Sequence, residues 1–363
     1  MPNKLRLLFL LPAAALILSG CSVSFGGGTG NSSVDGGIFR SANKGDNWLQ
    51  KTLIPTTTGK PRSFSGLNVM ALAMDPNDNR AVYVGTQDNG LFYTYDTGEN
   101  WFYAGSLAKM TIRAVAVDPK NKCVVYASAG NRVYKSIDCN RTWAQVFFDN
   151  DLNLAVNAVA VDHYNANNVY IGTSRGEVVK SFDAGKSWQT VSRLKDKVGR
   201  ILISPHDSRI IIAATSKNGL FRSTNEGEDW VDLREKFKDI KDGTEFKDIV
   251  MSKAEPGHIL LSSKLGLMQT NDYGDTWQKL NLITPEKTAT INAIAVSQKN
   301  IKEIYYATNT TFYRSLDGGQ NWTTKKLPTT RAGWKLLIDP EDAFLYVGVK
   351  SFKDENNNAA FGL

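Results

Sequence analysis

From about residue 69 onward, short runs of alternating apolar and polar residues recur, each closed by turn-forming residues. The stretches IRAVAVDPKNKCVVYASAGNRVYKS from 112 and INAIAVSQKNIKEIYYATNTTFYRS from 291 share one layout. Period-2 alternation is the signature of half-buried strands. The pairs Asp75-Pro76, Asp118-Pro119, Ser204-Pro205 and Asp339-Pro340 supply turns between the first and second run of a unit. Three strands precede a recurring octapeptide and one follows it, so each unit carries four strands. Four strands in a period of about 40 to 50 residues predict the blades of a β-propeller.

The octapeptides fix the register. They read SANKGDNW at 41, TYDTGENW at 94, SIDCNRTW at 136, SFDAGKSW at 181, STNEGEDW at 223, TNDYGDTW at 270 and SLDGGQNW at 315. The pattern Ser/Thr-x-Asp-x-Gly-x-x-Trp ends on Trp48, Trp101, Trp143, Trp188, Trp230, Trp277 and Trp322. It suits a tight hairpin, in which the carboxylates of Asp96, Asp138, Asp183, Asp272 and Asp317 accept turn N–H groups, glycine supplies positive φ and the indole packs sideways. Asn43 and Asn225 stand in place of the carboxylate, and Asn140 in place of the glycine, a residue that also visits the left-handed region.

These octapeptides resemble the Asp-box, or BNR, repeat of sialidases, xyloglucanases, the sortilin luminal domain and Ycf48-type photosystem II assembly factors. The resemblance covers residues 37 to about 350 and implies boxes that serve as scaffold and not as active site. Inner strands are expected to start near residues 69, 112, 156, 199, 246, 291 and 334. The last of these has no box after it, and the first box has no inner strands before it. The expectation is an all-β, seven-bladed propeller of four-stranded antiparallel blades. Its last blade takes two inner strands from the C-terminal part and two outer strands from the N-terminal part, which removes open sheet edges. Residues 351–363 are left over as a loose tail.

The first twenty residues break the pattern. MPNKLRLLFLLPAAALILSG has two cations, an apolar stretch and small residues, the layout of a secretory leader. Leu18-Ser19-Gly20-Cys21 resembles a bacterial lipobox, which implies acylation of Cys21 and a chain exported and lipid-anchored to a bacterial membrane, at its periplasmic or cell-surface face. Residues 21–36 then read as a flexible Gly/Ser tether with a reach of about 20 to 25 Å. No later stretch approaches the about 20 apolar residues of a membrane helix, so the lipid is the only membrane contact expected. The net charge of +7 is too mild to imply nucleic acid.

Candidate chemistry is sparse. His163, His206 and His258 fall in turns of three different units with no shared metal-ligand spacing, and read as solvated turn residues with no metal site. No nucleophile-elbow, metalloprotease, Walker or dinucleotide motif occurs, and no cofactor is expected. Cys123 and Cys139 fall on adjacent strand ends when the chain folds about Gly130, leaving a disulfide or two thiols as the readings. If the first strand of each unit starts at a top face, the box turns lie at the bottom and the connections between units lie on top. Those connections are basic: Arg193, Lys195 and Lys197; Lys236, Lys238 and Lys241; Lys325, Lys326 and Arg331. Phe64, Phe102, Tyr103, Phe147, Phe148 and Phe237 are interleaved with them. This predicts a weakly basic top rim that docks a protein partner in the cell envelope. The alternative is a glycan-binding lectin or a glycoside hydrolase, which needs two carboxylates about 5 to 9.5 Å apart. Asp88, Asp149, Asp151, Asp196 and Glu177 are the top-loop acids from which such a pair would come.

Overall fold

The computed structural model describes residues 35–237, 245–284, 290–341 and 343–352. Cys21, Lys238, Lys241 and most of the expected leader, tether and tail lie outside the described residues. The chain forms a ring of seven four-stranded antiparallel sheets. Blades 1 to 6 are contiguous in sequence, with innermost strands Val69–Met74, Ile112–Asp118, Val156–Val161, Val198–Ile203, Phe246–Met251 and Ala293–Val296. Blade 7 pairs Ala332–Ile338 and Leu345–Lys350 with Ile38–Ser41 and Leu49–Gln50. Antiparallel pairing of Ile38 with Gly348 and of Ser41 with Leu345 closes the ring. The closure and blade number expected from the sequence are thus the ones observed.

The apolar alternation explains how the blades stack. Each blade-to-blade interface holds its own layer of buried side chains, seven layers among the described residues. The layer between blades 7 and 1 contains Ile38, Phe64, Val69, Trp101 and Tyr346. One position sets how closely neighbours approach. A Cβ on Gly172 would lie 2.5 Å from Val198 of the next blade, and one on Gly348 would lie 2.6 Å from Val69. The short hairpin Leu53–Ile54 with Arg62–Ser63 covers the step from blade 7 into blade 1, where Trp101 donates its backbone N–H to Leu53.

The octapeptide turns repeat one hydrogen-bond scheme. In blade 3, Ser181 Oγ accepts from the Gly185 N–H at 2.7 Å and donates to Asp183 Oδ1 at 2.8 Å. Asp183 Oδ1 also accepts from the Ser187 N–H at 2.8 Å, and its Oδ2 takes the Ser187 hydroxyl at 2.6 Å. Two successive residues sit at positive φ, Ala184 at 58° and Gly185 at 91°. In blade 2 the same pair is Cys139 at 58° and Asn140 at 70°. Asn43 and Asn225 keep the scheme through their amide oxygens, which accept the N–H groups of Asn47 and Asp229 at 2.8 and 2.9 Å.

Candidate functional site

The octapeptide face is fully occupied with its own structure. Hydrogen bonds from Thr142 and Ser187 hold the carboxyls of Asp138 and Asp183 down at about 2. Backbone and side-chain bonds from Asn321 do the same for Asp317. Burial pushes Asp272 upward, but bonds from Thr270 and Thr276 outweigh it and leave it at about 2. Asp96 is lowered in the same way against the same burial. The residue before each box serine or threonine reaches the next blade's turn in several units. Arg40 bonds the Thr97 carbonyl at 2.8 Å, Lys135 the Ala184 carbonyl at 2.8 Å and Lys180 the Glu226 carbonyl at 3.0 Å. These cations tie blades together.

The indoles pack against neighbouring elements: Trp101 is fully buried, Trp48 stands edge-on to Phe312, Trp188 to Phe147, and Trp277 lies beside Phe237. Trp230 and Trp322 donate to the Gly227 and Gly319 carbonyls at 3.0 and 3.1 Å, and Trp143 joins the layer between blades 1 and 2. Cys123 and Cys139 are joined as a disulfide with a Cα–Cα distance of 3.9 Å. His258 departs from the expectation of a solvated turn: it is completely buried, and burial pushes its imidazole down while Gln269 acts the other way.

The expected basic rim does not come together as one patch. Arg193 is exposed, 3.5 Å from Glu177, and Lys195 and Lys197 project from the adjoining connection. Lys236 reaches across to Asp275 of blade 5 at 3.7 Å. Lys325 and Lys326 sit on the outer strand Thr323–Lys326 and not in a connection, because that strand is longer than its counterparts in blades 4 and 5. Lys325 lies 3.6 Å from Asp46. Arg331 is only 9% exposed; it sits against Asp35 at 3.5 Å and donates to Asn68 at 3.1 Å, a structural role at the junction of the chain's two ends. Among the interleaved aromatics, Phe64 and Phe237 are core residues, while Phe102, Tyr103 and Phe148 are exposed.

The acids of the same face are committed. Arg175 gathers Asp149, Glu177 and Asp151 at 2.6, 3.0 and 3.6 Å. Asp196 accepts the backbone N–H groups of Lys217 and Asn218 at 2.5 and 3.0 Å. Asp88 is bonded to the Thr111 hydroxyl.

The feature that the sequence reading missed lies on the ring axis. Aligned by register, equivalent positions of the inner strands hold Ala71, Ala114, Ala158, Arg200, Asp248, Ala293 and Lys335. Ala71, Ala114 and Ala158 line the axis there, and three charges gather on blades 4, 5 and 7. Asp248 is 2% exposed; its Oδ1 accepts from Arg200 at 3.1 Å and its Oδ2 from the Ile294 N–H at 3.2 Å. Lys335 makes no hydrogen bond among the described residues; desolvation, then Arg200, pushes its ammonium down to about 7, with Asp248 acting the other way. Lys350 lies over the Trp334 ring at 4.5 Å, with Arg113 acting on it from blade 2. Arg200 and Asp248 of this cluster line an axial cavity of about 390 Å³ whose walls also include Leu72, Val115, Val159, Leu202, Val250 and Leu337. Comparing the equivalent position of each inner strand across the units was the signal that could have exposed the cluster.

No family model matches the chain. It is 26% identical over 237 residues to a xyloglucanase from Paenibacillus sp, a match that spans 58% of this chain and 20% of that enzyme. A shorter match, 40% over 67 residues, is to xyloglucanase Xgh74A of Acetivibrio thermocellus, covering 18% of this chain and 8% of that protein. The chain therefore spans a fifth or less of the length of these curated relatives. Among solved structures it resembles the GH74 xyloglucanase from Xanthomonas campestris, with TM-score 0.64 and 18% identity, covering 78% of this chain and 51% of that one. YCF48 bound to D1 peptide gives TM-score 0.60 and 15% identity, over 82% of this chain and 96% of that one. The extracellular domain of BT4673 from B. thetaiotaomicron gives 0.59 and 14%, over 84% and 44%. These likenesses establish the fold.

Proposed function

We propose that this propeller is an exported, lipid-anchored, non-enzymatic scaffold that recognises an acidic surface of a protein partner through its top face. The observation that carries the reading is the unequal fate of charge on that face. Asp149, Asp151 and Glu177 are neutralised by Arg175 and Asp196 is tied to backbone N–H groups. Lys195 and Lys197 are exposed and have no acid partner among the described residues, so the face presents net positive charge. Such a surface steers and orients an acidic partner. A solved relative in fold is described as bound to a peptide, which supports the same kind of use. Anchoring rests on Leu18-Ser19-Gly20-Cys21, and the scaffold role of the octapeptides on their resemblance to Asp-boxes.

The test is affinity capture from native membranes in mild detergent, comparing wild type with a Lys195→Glu, Lys197→Glu variant. The reading expects a stoichiometric protein that the variant loses and that 0.3 M salt weakens. Captures in which both proteins retain the same partner, or neither holds one, overturn it. A glycoside hydrolase or lectin is the second reading, favoured by the xyloglucanase relatives. Release of reducing ends from xyloglucan by the purified chain, abolished by Glu177→Gln, would establish that alternative.

A further inference from the structure

The axial cavity and the charges at its mouth form a site that protein recognition by the rim does not use. Four cations, Arg113, Arg200, Lys335 and Lys350, face or adjoin the mouth, against the single carboxylate of Asp248. Asp248 is already committed to Arg200 and to the Ile294 N–H. An ammonium without an acceptor in a desolvated position is costly, and the Lys335 ammonium has none among the described residues. A compact anion seated there would offset that cost.

The walls beneath decide what the anion is attached to. Most of the side chains lining them are apolar, with Asp75, Arg200, Asp248, Lys253 and Gln298 among them, and the volume, about 390 Å³, is that of a small-ligand pocket. Burying an apolar chain against these side chains is favourable. At the opposite end lies Asp75, only 1% exposed, whose carboxyl burial pushes upward. Lys253 and Gln298 line that end with it. We infer that the channel binds a small aliphatic monocarboxylate, its head between Arg200 and Lys335 and its chain along the axis. This goes beyond the docking role proposed for the rim and stands or falls separately from it.

The groups that face Lys335 are Arg200 of blade 4, Asp248 of blade 5 and Lys350 on the paired strand of its own blade, with the Trp334 ring beside them. Because the ammonium is held near 7, a carboxylate arriving at pH 8 draws a proton onto Lys335.

Calorimetric titration of the purified full chain with sodium octanoate tests the site. The expected result at pH 8 is saturable one-to-one binding with proton uptake, seen as heats that differ between buffers of different ionisation enthalpy. 1-Octanol, lacking the charge, binds at least about tenfold more weakly, the order expected for one charge-assisted contact. Acetate, lacking the chain, loses at least as much because each missing methylene forfeits its apolar burial. Lys335→Met loses about tenfold in affinity for octanoate, whereas Lys186→Met, exposed on the octapeptide turn of blade 3, binds as wild type does. Absence of saturable heat, or 1-octanol binding as tightly as octanoate, overturns the inference on wild-type protein alone. Equal affinity in a folded Lys335→Met variant overturns it as well.

Discussion

The two ends of the propeller treat charge in opposite ways. On the octapeptide face every described box carboxylate is ringed by N–H and O–H donors, and several strand cations end on carbonyls of the next blade. Folding favours those charges. At the channel mouth Lys335 is held in a desolvated position with Arg200 nearby and no acceptor, so folding disfavours that charge. Saturated polar groups build rigid scaffold, and unsatisfied ones mark places where something else can bind. The comparison separates architecture from candidate chemistry more sharply than charge counting along the sequence does.

The largest expected effect comes from breaking the scaffold end. Trp101 is fully buried between blades 7 and 1 against Phe64, with ring centroids 5.3 Å apart. Trp101→Ala should cost about 3 to 5 kcal/mol, read as a lower midpoint in chemical denaturation. A shift below about 1 kcal/mol would show that this layer does not hold the ring closed. Next comes the disulfide of the same face. Cys123 and Cys139 are 16 residues apart in sequence, and a loop of that size is worth about 3 kcal/mol in the chain-entropy model. Reductant should lower the wild-type midpoint and leave a Cys123→Ser, Cys139→Ser variant unchanged; equal responses would remove the bond from the scaffold's account.

Acid sharpens the contrast further. Asp138, Asp183, Asp272 and Asp317 sit at about 2 in the folded chain against an ordinary 3.8. The unfolded chain therefore binds more protons between those values, and stability falls as pH drops from about 4 to 2. Asp183→Asn keeps the Oδ1 acceptor, as Asn43 and Asn225 do in their own blades. It should flatten the acid dependence while lowering neutral stability less than Asp183→Ala does. If the two variants melt alike at pH 7, accepting the Ser187 N–H is not what the carboxylate contributes.

Much of this scaffold was legible before the structure. Alternating runs, turn pairs and the octapeptide register specify blade number, strand order and the split closing blade, because each is a local pattern repeated in phase. The rim was less legible. Arg331 and Lys325 look alike in sequence, yet one is buried against Asp35 and Asn68 and the other lies on an outer strand. His258 was misread for the same reason: turns of one blade are covered by neighbours that no local pattern reveals. The channel cluster was hidden differently. Arg200, Asp248 and Lys335 are far apart in the chain, and only the shared register position of their strands brings them to one level of the axis.

The smallest effect is also the most direct test of the comparison. Lys335 holds its proton only to about 7 in the folded chain, against 10.5 for an ordinary lysine. Between those values the unfolded chain binds more protons, so this residue makes stability rise with pH, the more so as the ammonium's repulsion by Arg200 is relieved. The box carboxylates, ionised throughout that window, contribute no slope there. Lys335→Met removes the ammonium altogether and should be at least as stable as wild type at pH 6 to 7. Its denaturation midpoint should stay flatter from pH 7 to 9 while the wild-type midpoint climbs. Parallel curves in the two proteins would mean that Lys335 titrates as a solvated lysine, and the channel mouth would then be no more strained than any other patch of surface.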